Sequence, residues 1–370
     1  MNKSRVVEFI KRYDFSFFGI AVAIFIIGVF NLYSATHAST SSHMAGLYQN
    51  HALKFALSLC VGFGISFVKP KGYSVNAYLF YILINIFLIL VLVLGEKGMG
   101  AQRWLVLGPL RFQPSEIAKI SSILVLARWF SKTNPDKEMG FRDLILPAIL
   151  CLVPVILIVL EPDLGTGLLI VLVFLVMCFY RRLKWKTIGI LALLGIMGGG
   201  VMYKFGLKEY QRKRIVTFLN PGDDARGSGY NAIQSKIAIG SGRFKGKGFK
   251  MSSQASLNYL PENHTDFVFS IFNEEHGFIG SLILIALYLI LLFRFLWLAQ
   301  SVSVIFDSLA VVGIMSLFFW HTFINMGMVM GLMPIVGLPL PLMSYGGSSL
   351  ITFGICLGIA TSISNSRNLF

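Results

Sequence analysis

The feature that most limits how this chain can fold is the length of its uncharged stretches. Asp307 and Arg367 are separated by 59 residues without an Asp, Glu, Lys or Arg side chain, and the interval between Lys71 and Glu96 also has none. A helix crosses the hydrocarbon core of a bilayer with about 20 apolar residues. Charged residues make up only 13% of the chain, about half of the roughly 25% usual in soluble domains. The sequence therefore predicts an all-α polytopic membrane protein. A soluble fold is excluded, and a transmembrane β-barrel is disfavoured because its strands show alternating hydrophobicity.

Apolar runs between charged residues and Gly- or Pro-rich turns predict about ten transmembrane helices. The expected ranges are 15–33, 50–68, 73–94, 115–130, 144–160, 165–180, 187–203, 277–297, 308–330 and 347–365. Residues 331–341, which contain three prolines, are expected to form a partly re-entrant connection. Non-helical backbone at membrane depth is tolerated only where it is buried in protein or lines a cavity.

The formal charge of +15 reflects membrane orientation better than nucleic-acid binding. Basic residues gather on the N-terminal tail, on alternate short connections and near the C-terminus, as the positive-inside rule expects. Both termini are therefore predicted to be cytoplasmic. We expect one membrane domain over residues 1–370, with a long extracytoplasmic loop at 204–276 between helices 7 and 8.

Ionisable side chains within predicted membrane helices are candidate functional residues, because each costs about 2.5–3.5 kcal/mol at the helix centre. Glu116 and Lys119 are three residues apart near the start of the predicted fourth helix, so they share one face. They either line a polar cavity or form an ion pair that only neutralises the two charges. The spacing is compatible with both.

Acidic and imidazole side chains gather where the long loop meets the next helix. Asp266 lies two residues after His264 and four after Glu262. Asp266 is a candidate general base, whereas His264 is either the base itself or a donor to a neighbouring carboxylate. The alternative is that Asp266 only complements the dipole of the helix that follows.

Residues 240–250 read Gly-Ser-Gly-Arg-Phe-Lys-Gly-Lys-Gly-Phe-Lys and combine four glycines with four basic side chains. Such a segment can approach and neutralise an anion, so Arg243, Lys245 and Lys247 are candidate ligands of a phosphate or pyrophosphate. The alternative is a basic loop that lies on anionic lipid. Asp163, just before another predicted helix, contacts substrate or caps that helix.

Ordered motifs run along nearly the whole chain. They are Arg103-Trp104 with Leu107-Gly108-Pro109, Phe112-Gln113-Pro114-Ser115-Glu116, Pro162-Asp163-Leu164-Gly165-Thr166, Phe218-Leu219-Asn220-Pro221, Gly246-Lys247-Gly248, Leu260-Pro261-Glu262, His264-Thr265-Asp266-Phe267 and Ser344-Tyr345-Gly346-Gly347-Ser348-Ser349. In this order they resemble the SEDS family (shape, elongation, division and sporulation), which includes RodA and FtsW. The run Val-Gly-Leu-Pro-Leu-Pro-Leu at 336–342 looks more like RodA, the rod-shape-determining elongation member.

The resemblance implies an enzyme of the bacterial cytoplasmic (inner) membrane with an active site that faces outward. Members of the family polymerise lipid II, an undecaprenyl-pyrophosphate-linked disaccharide pentapeptide, into peptidoglycan strands. Asp266 would be the catalytic carboxylate, and Glu116 and Lys119 would line the central cavity. Inverting transfer of the sugar to an acceptor 4-hydroxyl calls for one base and for cations at the leaving pyrophosphate. The candidate substrate-binding residues are Arg103, Arg212, Arg214, Arg243, Lys245, Lys247, His264, Glu262 and Asp163.

The resemblance also implies partners. A class B penicillin-binding protein that crosslinks the glycan is expected, together with lipid II and membrane lipids, and no nucleic acid. A divalent cation, Mg or Mn, that assists the pyrophosphate is expected, although no ligand set in the sequence fixes its site; no other cofactor is expected. Two other classes of function stay open: a lipid II flippase and a non-catalytic scaffold for a cell-wall synthase.

Overall fold

The computed structural model describes residues 13–37, 46–98, 101–107, 110–134, 136–224, 227–257, 259–260 and 264–367. Its helices are α1 (Ser16–His37), α2 (Leu47–Ile65), α3 (Pro70–Leu94), α4 (Pro114–Ser131), α5 (Ile145–Leu160), α6 (Leu164–Tyr180), α7 (Trp185–Val201), α8 (Glu209–Leu219), α9 (Ser228–Gly242), α10 (Ser253–Ser256), α11 (Val268–Ser301), α12 (Ile305–Val329) and α13 (Gly347–Arg367). Short 3-10 helices occupy Phe141–Leu144 and Pro221–Asp224, and a π-turn at Met202–Gly206 extends α7. A helix is present at each of the ten predicted positions, and the protein is a polytopic all-α membrane protein.

The packing separates central helices from lipid-facing ones. Nearly every residue of α4 is buried. In α12 and in α13, 72% of the most apolar 18-residue stretch is buried. By contrast, α3, α5 and α11 expose large apolar side chains on one face, and α7 contributes almost nothing to the core. Seven helices of the described residues are long and apolar enough to cross a membrane by composition alone. The central helices carry more polar residues because neighbouring helices shield them from lipid.

Small residues bring α2 and α13 into close contact. A Cβ atom added to Gly62 would lie 2.4 Å from the carbonyl oxygen of Gly354, and one added to Gly358 would lie 2.2 Å from that of Gly62. Ser58 Oγ also donates to the carbonyl of Leu350 at 2.5 Å. Only glycine allows this approach, as is common between membrane helices. The contact fixes α2 beside the first turns of α13.

Two features differ from the sequence-based prediction. Helix α11 begins at Val268, nine residues before the predicted start, and it bends at Gly277, where φ is +65°. The sequence predicts no element between α3 and α4, where the structure has a small antiparallel sheet of β1 (Glu96–Gly98), β2 (Ala101–Leu107) and β3 (Leu110–Phe112). The bend explains the first difference, because the sequence signal of Gly277 resembles a helix boundary although the chain stays helical on both sides.

The long connection between α7 and α11 is folded. It carries α8, α9 and α10, and Ser235 of α9 donates to the carbonyl of Val329 at 2.6 Å while it shares a hydrogen bond with Ser270 of α11 at 2.7 Å. A second non-helical segment, 330–346, joins α12 to α13, and its Leu338, Leu340 and Leu342 are buried. This is the burial that non-helical backbone between membrane helices requires. These two segments meet at the candidate site.

Candidate functional site

Asp266 lies in a turn immediately before α11, and the backbone of this turn is held at three successive carbonyls. The carbonyl of His264 accepts from the Tyr345 amide at 2.9 Å, and the carbonyl of Thr265 accepts from Ser344 Oγ at 2.6 Å. The carbonyl of Asp266 itself accepts from Asn325 Nδ2 at 2.9 Å. The turn is therefore fixed by α12 and by the 330–346 segment.

The Asp266 carboxylate stands against the 330–346 segment at Gly337. A Cβ atom added to Gly337 would lie 3.2 Å from Asp266 Oδ2, and Gly337 has φ of +79°. A larger residue would be strained at this φ and would crowd the carboxylate. Asp266 is half-buried. It is thus a partly accessible carboxylate on a rigid backbone, the arrangement that a positioned base needs.

Glu116 and Lys119 form a buried ion pair that continues to a third residue. Lys119 Nζ lies 2.9 Å from Glu116 Oε1 and 3.1 Å from His321 Nε2 on α12, and His321 Nδ1 lies 3.2 Å from the carbonyl oxygen of Pro339. All three side chains are nearly inaccessible. The predicted pair is present, and its contacts reach the 330–346 segment.

Helix α12 connects the two groups. His321 and Asn325 are four residues apart and lie on one face of α12. Asn325 Nδ2 donates to Leu338 O at 2.7 Å in addition to Asp266 O. The Asp266 turn and the Glu116–Lys119 pair therefore both bear on residues 337–339 of one segment.

The sequence and the architecture of this chain have close counterparts among known proteins. The model of the family described as cell cycle protein, FtsW/RodA/SpoVE, matches residues 14–369. The chain belongs to this family. It is 40% identical to the peptidoglycan glycosyltransferase MrdB of Escherichia coli K12 over 331 residues, 90% of this chain and 89% of MrdB. It is 35% identical to a probable peptidoglycan glycosyltransferase FtsW of Geobacter sulfurreducens over 98% of both chains.

Solved structures agree with this assignment to the FtsW/RodA/SpoVE family. A chain of a peptidoglycan synthase complex that coordinates polymerization and crosslinking superposes with a TM-score of 0.80 at 33% identity, covering 96% of this chain and 98% of that one. The Rod shape determining protein RodA of Thermus thermophilus superposes with a TM-score of 0.72 at 31% identity, covering 96% and 97%. The resemblance predicted from the motifs is confirmed.

Arg103, in the first family motif, contacts backbone. It lies on β2, and its guanidinium donates to the carbonyls of Glu161 and Pro162 at the turn between α5 and α6. Glu161 is fully buried, and both of its carboxylate oxygens are without a hydrogen-bond partner among the described residues. Burial and then the neighbouring Asp163 charge raise the pKa of Glu161 to about 8, against the lowering effect of Arg103. Sequence reasoning did not single out Glu161 as a titrating group.

Asp163 caps α6, as one of the two alternatives proposed. Its carboxylate accepts from the Thr166 amide at 3.3 Å and from Thr166 Oγ1 at 3.0 Å. The side chain is buried. Its part in substrate binding stays a prediction.

Arg212 and Arg214 on α8 also bind backbone. Arg212 Nη2 donates to the carbonyl of Lys204 at 2.7 Å. Arg214 Nη1 donates to the carbonyls of Ile335 at 3.2 Å and Val336 at 3.1 Å, next to Gly337. Arg214 thus secures the segment that faces Asp266.

The glycine and lysine segment packs against the bend of α11. Just after the bend, the Phe278 amide donates to the carbonyl of Arg243 and the Ile279 amide donates to that of Phe244. Just before the bend, the Glu274 carbonyl accepts from the Lys247 amide and the Glu275 carbonyl accepts from the Gly248 amide. The four N–O distances run from 2.9 to 3.1 Å. The segment supplies the bonds that the bent helix cannot make internally. A Cβ atom added to Gly246 would lie 2.0 Å from the carbonyl oxygen of Glu275.

The three candidate anion ligands of this segment have different surroundings. Lys247 pairs with the buried Glu274, Nζ to Oε1 at 2.5 Å, and donates to Ser253 Oγ at 2.9 Å. Arg243 and Lys245 are exposed. Of the glycines, Gly246 serves close packing against α11, a role that the sequence did not indicate, and the contact of the segment with an anion stays a prediction.

Two further predicted residues are Glu262 and His264, and two residues that the sequence analysis did not single out are His321 and Asn325. Glu262 lies outside the described residues, and His264 is half-buried beside Tyr345 with ring centroids 6.1 Å apart. His321 and Asn325 were overlooked because they sit in a stretch without formal charge. An imidazole and an amide in a membrane helix are themselves a signal of function.

Proposed function

We propose that this chain is a peptidoglycan glycosyltransferase that polymerises lipid II into glycan strands during cell elongation. The observation that carries the activity class is the 40% identity, over nine-tenths of the chain, to MrdB, which is named a peptidoglycan glycosyltransferase. The assignment to elongation rests on the likeness to MrdB and to the Rod shape determining protein RodA. Lipid II is the substrate that the family resemblance implies.

In the proposed reaction Asp266 acts as general base. Its carboxylate takes the proton of the acceptor 4-hydroxyl while the oxygen attacks the anomeric carbon of the donor sugar. The bond from that carbon to the pyrophosphate oxygen breaks, and undecaprenyl pyrophosphate leaves with the electron pair. The configuration at the anomeric carbon inverts. A base on a fixed backbone keeps the carboxylate aligned with the hydroxyl, which supports this role for Asp266.

We assign Glu116, Lys119 and His321 a positioning role. Their side chains are buried and hydrogen-bonded to one another, and the chain of contacts ends at Pro339 O. Hydrogen bonds in a low-dielectric interior are strong, and Glu116 Oε2 is the one carboxylate oxygen of this network without a hydrogen-bond partner among the described residues. The network would fix the 337–339 segment against which the Asp266 carboxylate lies.

The leaving pyrophosphate needs positive charge. Arg243 and Lys245 are exposed and available for it, whereas Arg103 and Arg214 bind carbonyls and Lys247 pairs with Glu274. The described residues contain no group of three or more His, Cys, Asp or Glu side chains that could hold a metal ion. The expected divalent cation stays a prediction, and no step above depends on it.

The proposed partner is a class B penicillin-binding protein, which would crosslink the strands. A solved relative comes from a complex that coordinates polymerization and crosslinking. We further propose that residues 204–276 face outward and that both termini are cytoplasmic. Asp266 would then face the side of the membrane where the glycan is assembled.

The test is polymerisation by the purified full-length protein in detergent with lipid II as the only substrate. Glycan strands that a muramidase digests are the expected product. Detergent micelles have no two compartments, so strand formation distinguishes a polymerase from a flippase. An inactive protein that still moves lipid II between the leaflets of vesicles would establish the flippase, and a protein inactive in both assays but bound to its synthase partner would establish the scaffold.

A further inference from the structure

Lys54 is a cation near the candidate site that the reaction above does not use. It lies on α2, where its Nζ donates to Tyr345 Oη at 2.8 Å and stands 4.2 Å from the centroid of that ring. In the part of the chain that the structure describes, no carboxylate is within ion-pair distance of it. A half-buried ammonium group without a counter-ion is poised to bind one, because a paired charge is less costly to bury.

The N-terminus of α13 points to the same place. Lys54 runs past Gly347, where an added Cβ atom would lie 3.2 Å from Lys54 Cδ. α13 is 21 residues long, and residues 345–349 at its start are half-buried. The first amides of a helix have no intrahelical acceptor, and the helix dipole makes this end positive. Phosphate groups bind at such ends when a cation is also present.

His51 supplies an independent observation. It lies one turn before Lys54 on α2, it is fully buried, and its ring centroid is 5.8 Å from that of Tyr345. Neither of its ring nitrogens has a hydrogen-bond partner among the described residues. A buried imidazole without hydrogen-bond partners destabilises the folded protein, because its desolvation is not compensated. This destabilisation is expected where a ligand supplies the missing interaction.

The cluster borders the proposed base. The Tyr345 amide donates to the carbonyl of His264 at 2.9 Å, and Ser344 Oγ donates to that of Thr265 at 2.6 Å. Thr265 and Asp266 are consecutive residues, so the backbone that carries the Tyr345 ring is hydrogen-bonded to the turn that carries Asp266.

We propose that Lys54, Tyr345, His51 and the α13 N-terminus (Gly346–Ser349) form a phosphate subsite that holds the pyrophosphate of a polyprenyl-linked sugar. The phosphate chemistry follows from the geometry, whereas the identity of the substrate rests on the proposed function. An anionic phospholipid headgroup offers the same chemistry. The experiment must therefore separate the two sources and must not depend on polymerisation.

The direct measurement is the affinity of the purified full-length protein, in detergent micelles, for undecaprenyl pyrophosphate. This ligand cannot be polymerised. Lys54→Gln should weaken binding by about tenfold, the effect of losing one hydrogen bond to a charged group. The control is Lys132→Gln. Lys132 also lies over a tyrosine ring, that of Tyr78 at 5.4 Å, but it follows the far end of α4 from Glu116. The Lys132→Gln variant should bind undecaprenyl pyrophosphate with the same affinity as the wild-type protein.

A second variant guards against a Lys54 change that only disturbs folding. Ser348→Asp puts a carboxylate in the first turn of α13, where it should raise Tm through the helix dipole and Lys54. It should also abolish undecaprenyl pyrophosphate binding, because it occupies the place of the phosphate. Weaker binding together with higher Tm is a combination that misfolding does not produce.

Three outcomes are decisive. Unchanged affinity in both Lys54→Gln and Ser348→Asp would overturn the subsite. Equal Lys54-dependent affinity for phosphatidylglycerol would overturn the substrate assignment and identify a lipid headgroup site. If the wild-type protein binds undecaprenyl pyrophosphate through Lys54 yet makes no glycan from lipid II, the subsite stands and the proposed polymerase function fails.

Discussion

Asp266 combines a half-buried carboxylate with a backbone that is held by residues distant in the sequence. Asn325, 59 residues from Asp266, donates to its carbonyl, and Ser344, 79 residues from Thr265, donates to the carbonyl of Thr265. These contacts form only when α12 and the 330–346 segment pack against the start of α11. No local pattern encodes contacts of this range, so the sequence indicates Asp266 by its motif but not the residues that hold it.

Replacement of Asp266, the proposed base, gives the first prediction. Asp266→Asn keeps the size of the side chain and all three backbone bonds of the turn but cannot accept the proton. Polymerisation of lipid II should fall by the roughly 10²–10⁴ typical of a lost general base, with Tm nearly unchanged. His264→Gln should retain more activity than Asp266→Asn. The reverse ranking would make His264 the base.

Glu161 provides a prediction of pH dependence. Burial raises its pKa to about 8 in the folded protein, whereas an unfolded glutamate titrates near its ordinary value of about 4.3. The folded state therefore binds more protons between these values, and the free energy of unfolding should decrease as pH rises through that window, by a few kcal/mol in total at about 1.4 kcal/mol for each pKa unit.

Glu161→Gln tests this pH dependence because the glutamine side chain does not titrate. Its Tm in detergent should change less than the wild-type Tm between pH 5 and about 8, and it should exceed the wild-type Tm at the upper end. Glu138→Gln, a change at an exposed position, should follow the wild-type profile. A parallel profile for Glu161→Gln would show that the carboxyl is not buried in its neutral form.

Helix boundaries were predictable from the sequence where charged residues bounded a long apolar run. The predicted boundary was wrong where a glycine serves close packing. Gly277 and Gly246 look like ordinary loop punctuation in the sequence. In the structure they let one segment cross another so closely that an added Cβ on Gly277 would lie 2.3 Å from the Gly246 amide nitrogen. This contact is long-range, so sequence patterns placed the start of α11 nine residues too late.

The bend of α11 yields an element-scale prediction. Gly277→Ala should lower Tm strongly, because the residue has φ of +65° and its Cβ would clash with backbone of residues 244–246. Gly240→Ala is the matched control, since nothing lies within 4 Å of its added Cβ and alanine favours a helix by up to about 1 kcal/mol. Similar Tm values for the two variants would contradict the close crossing.

Asn325 on α12 gives a second prediction at this scale. Asn325→Leu removes the donor shared by Asp266 O and Leu338 O, and the loss of a hydrogen bond to a buried carbonyl costs about 1–3 kcal/mol. Polymerisation should fall at least tenfold even where the protein stays folded. Asn85→Leu is the control, because among the described residues that buried amide donates only to Tyr81 O, one turn away in α3. Asn85→Leu should lower stability without lowering activity. If it lowers activity as much as Asn325→Leu does, Asn325 has no positioning role.

The whole molecule has two distinct ends. At one lie Asp266, the 330–346 segment and the bend of α11. At the other, Arg294 pairs with Asp14, and the Asp14 amide donates to Asn365 Oδ1 at 2.9 Å. The start of α1 and the end of α13 thus meet at one end of the molecule. The charge distribution predicts that both termini are cytoplasmic, and this placement stays a prediction.

Orientation in the membrane gives the last prediction. In a Cys60→Ser background, which removes the exposed one of the four cysteines, a single cysteine replaces Lys245 or Lys132, both exposed. Lys245→Cys should react with a membrane-impermeant maleimide in intact spheroplasts, because its segment adjoins the Asp266 end. Lys132→Cys, after the opposite end of α4, should react only after lysis. The reverse pattern would place Asp266 at the cytoplasmic face, where strands destined for the wall are not assembled, and would refute the proposed topology.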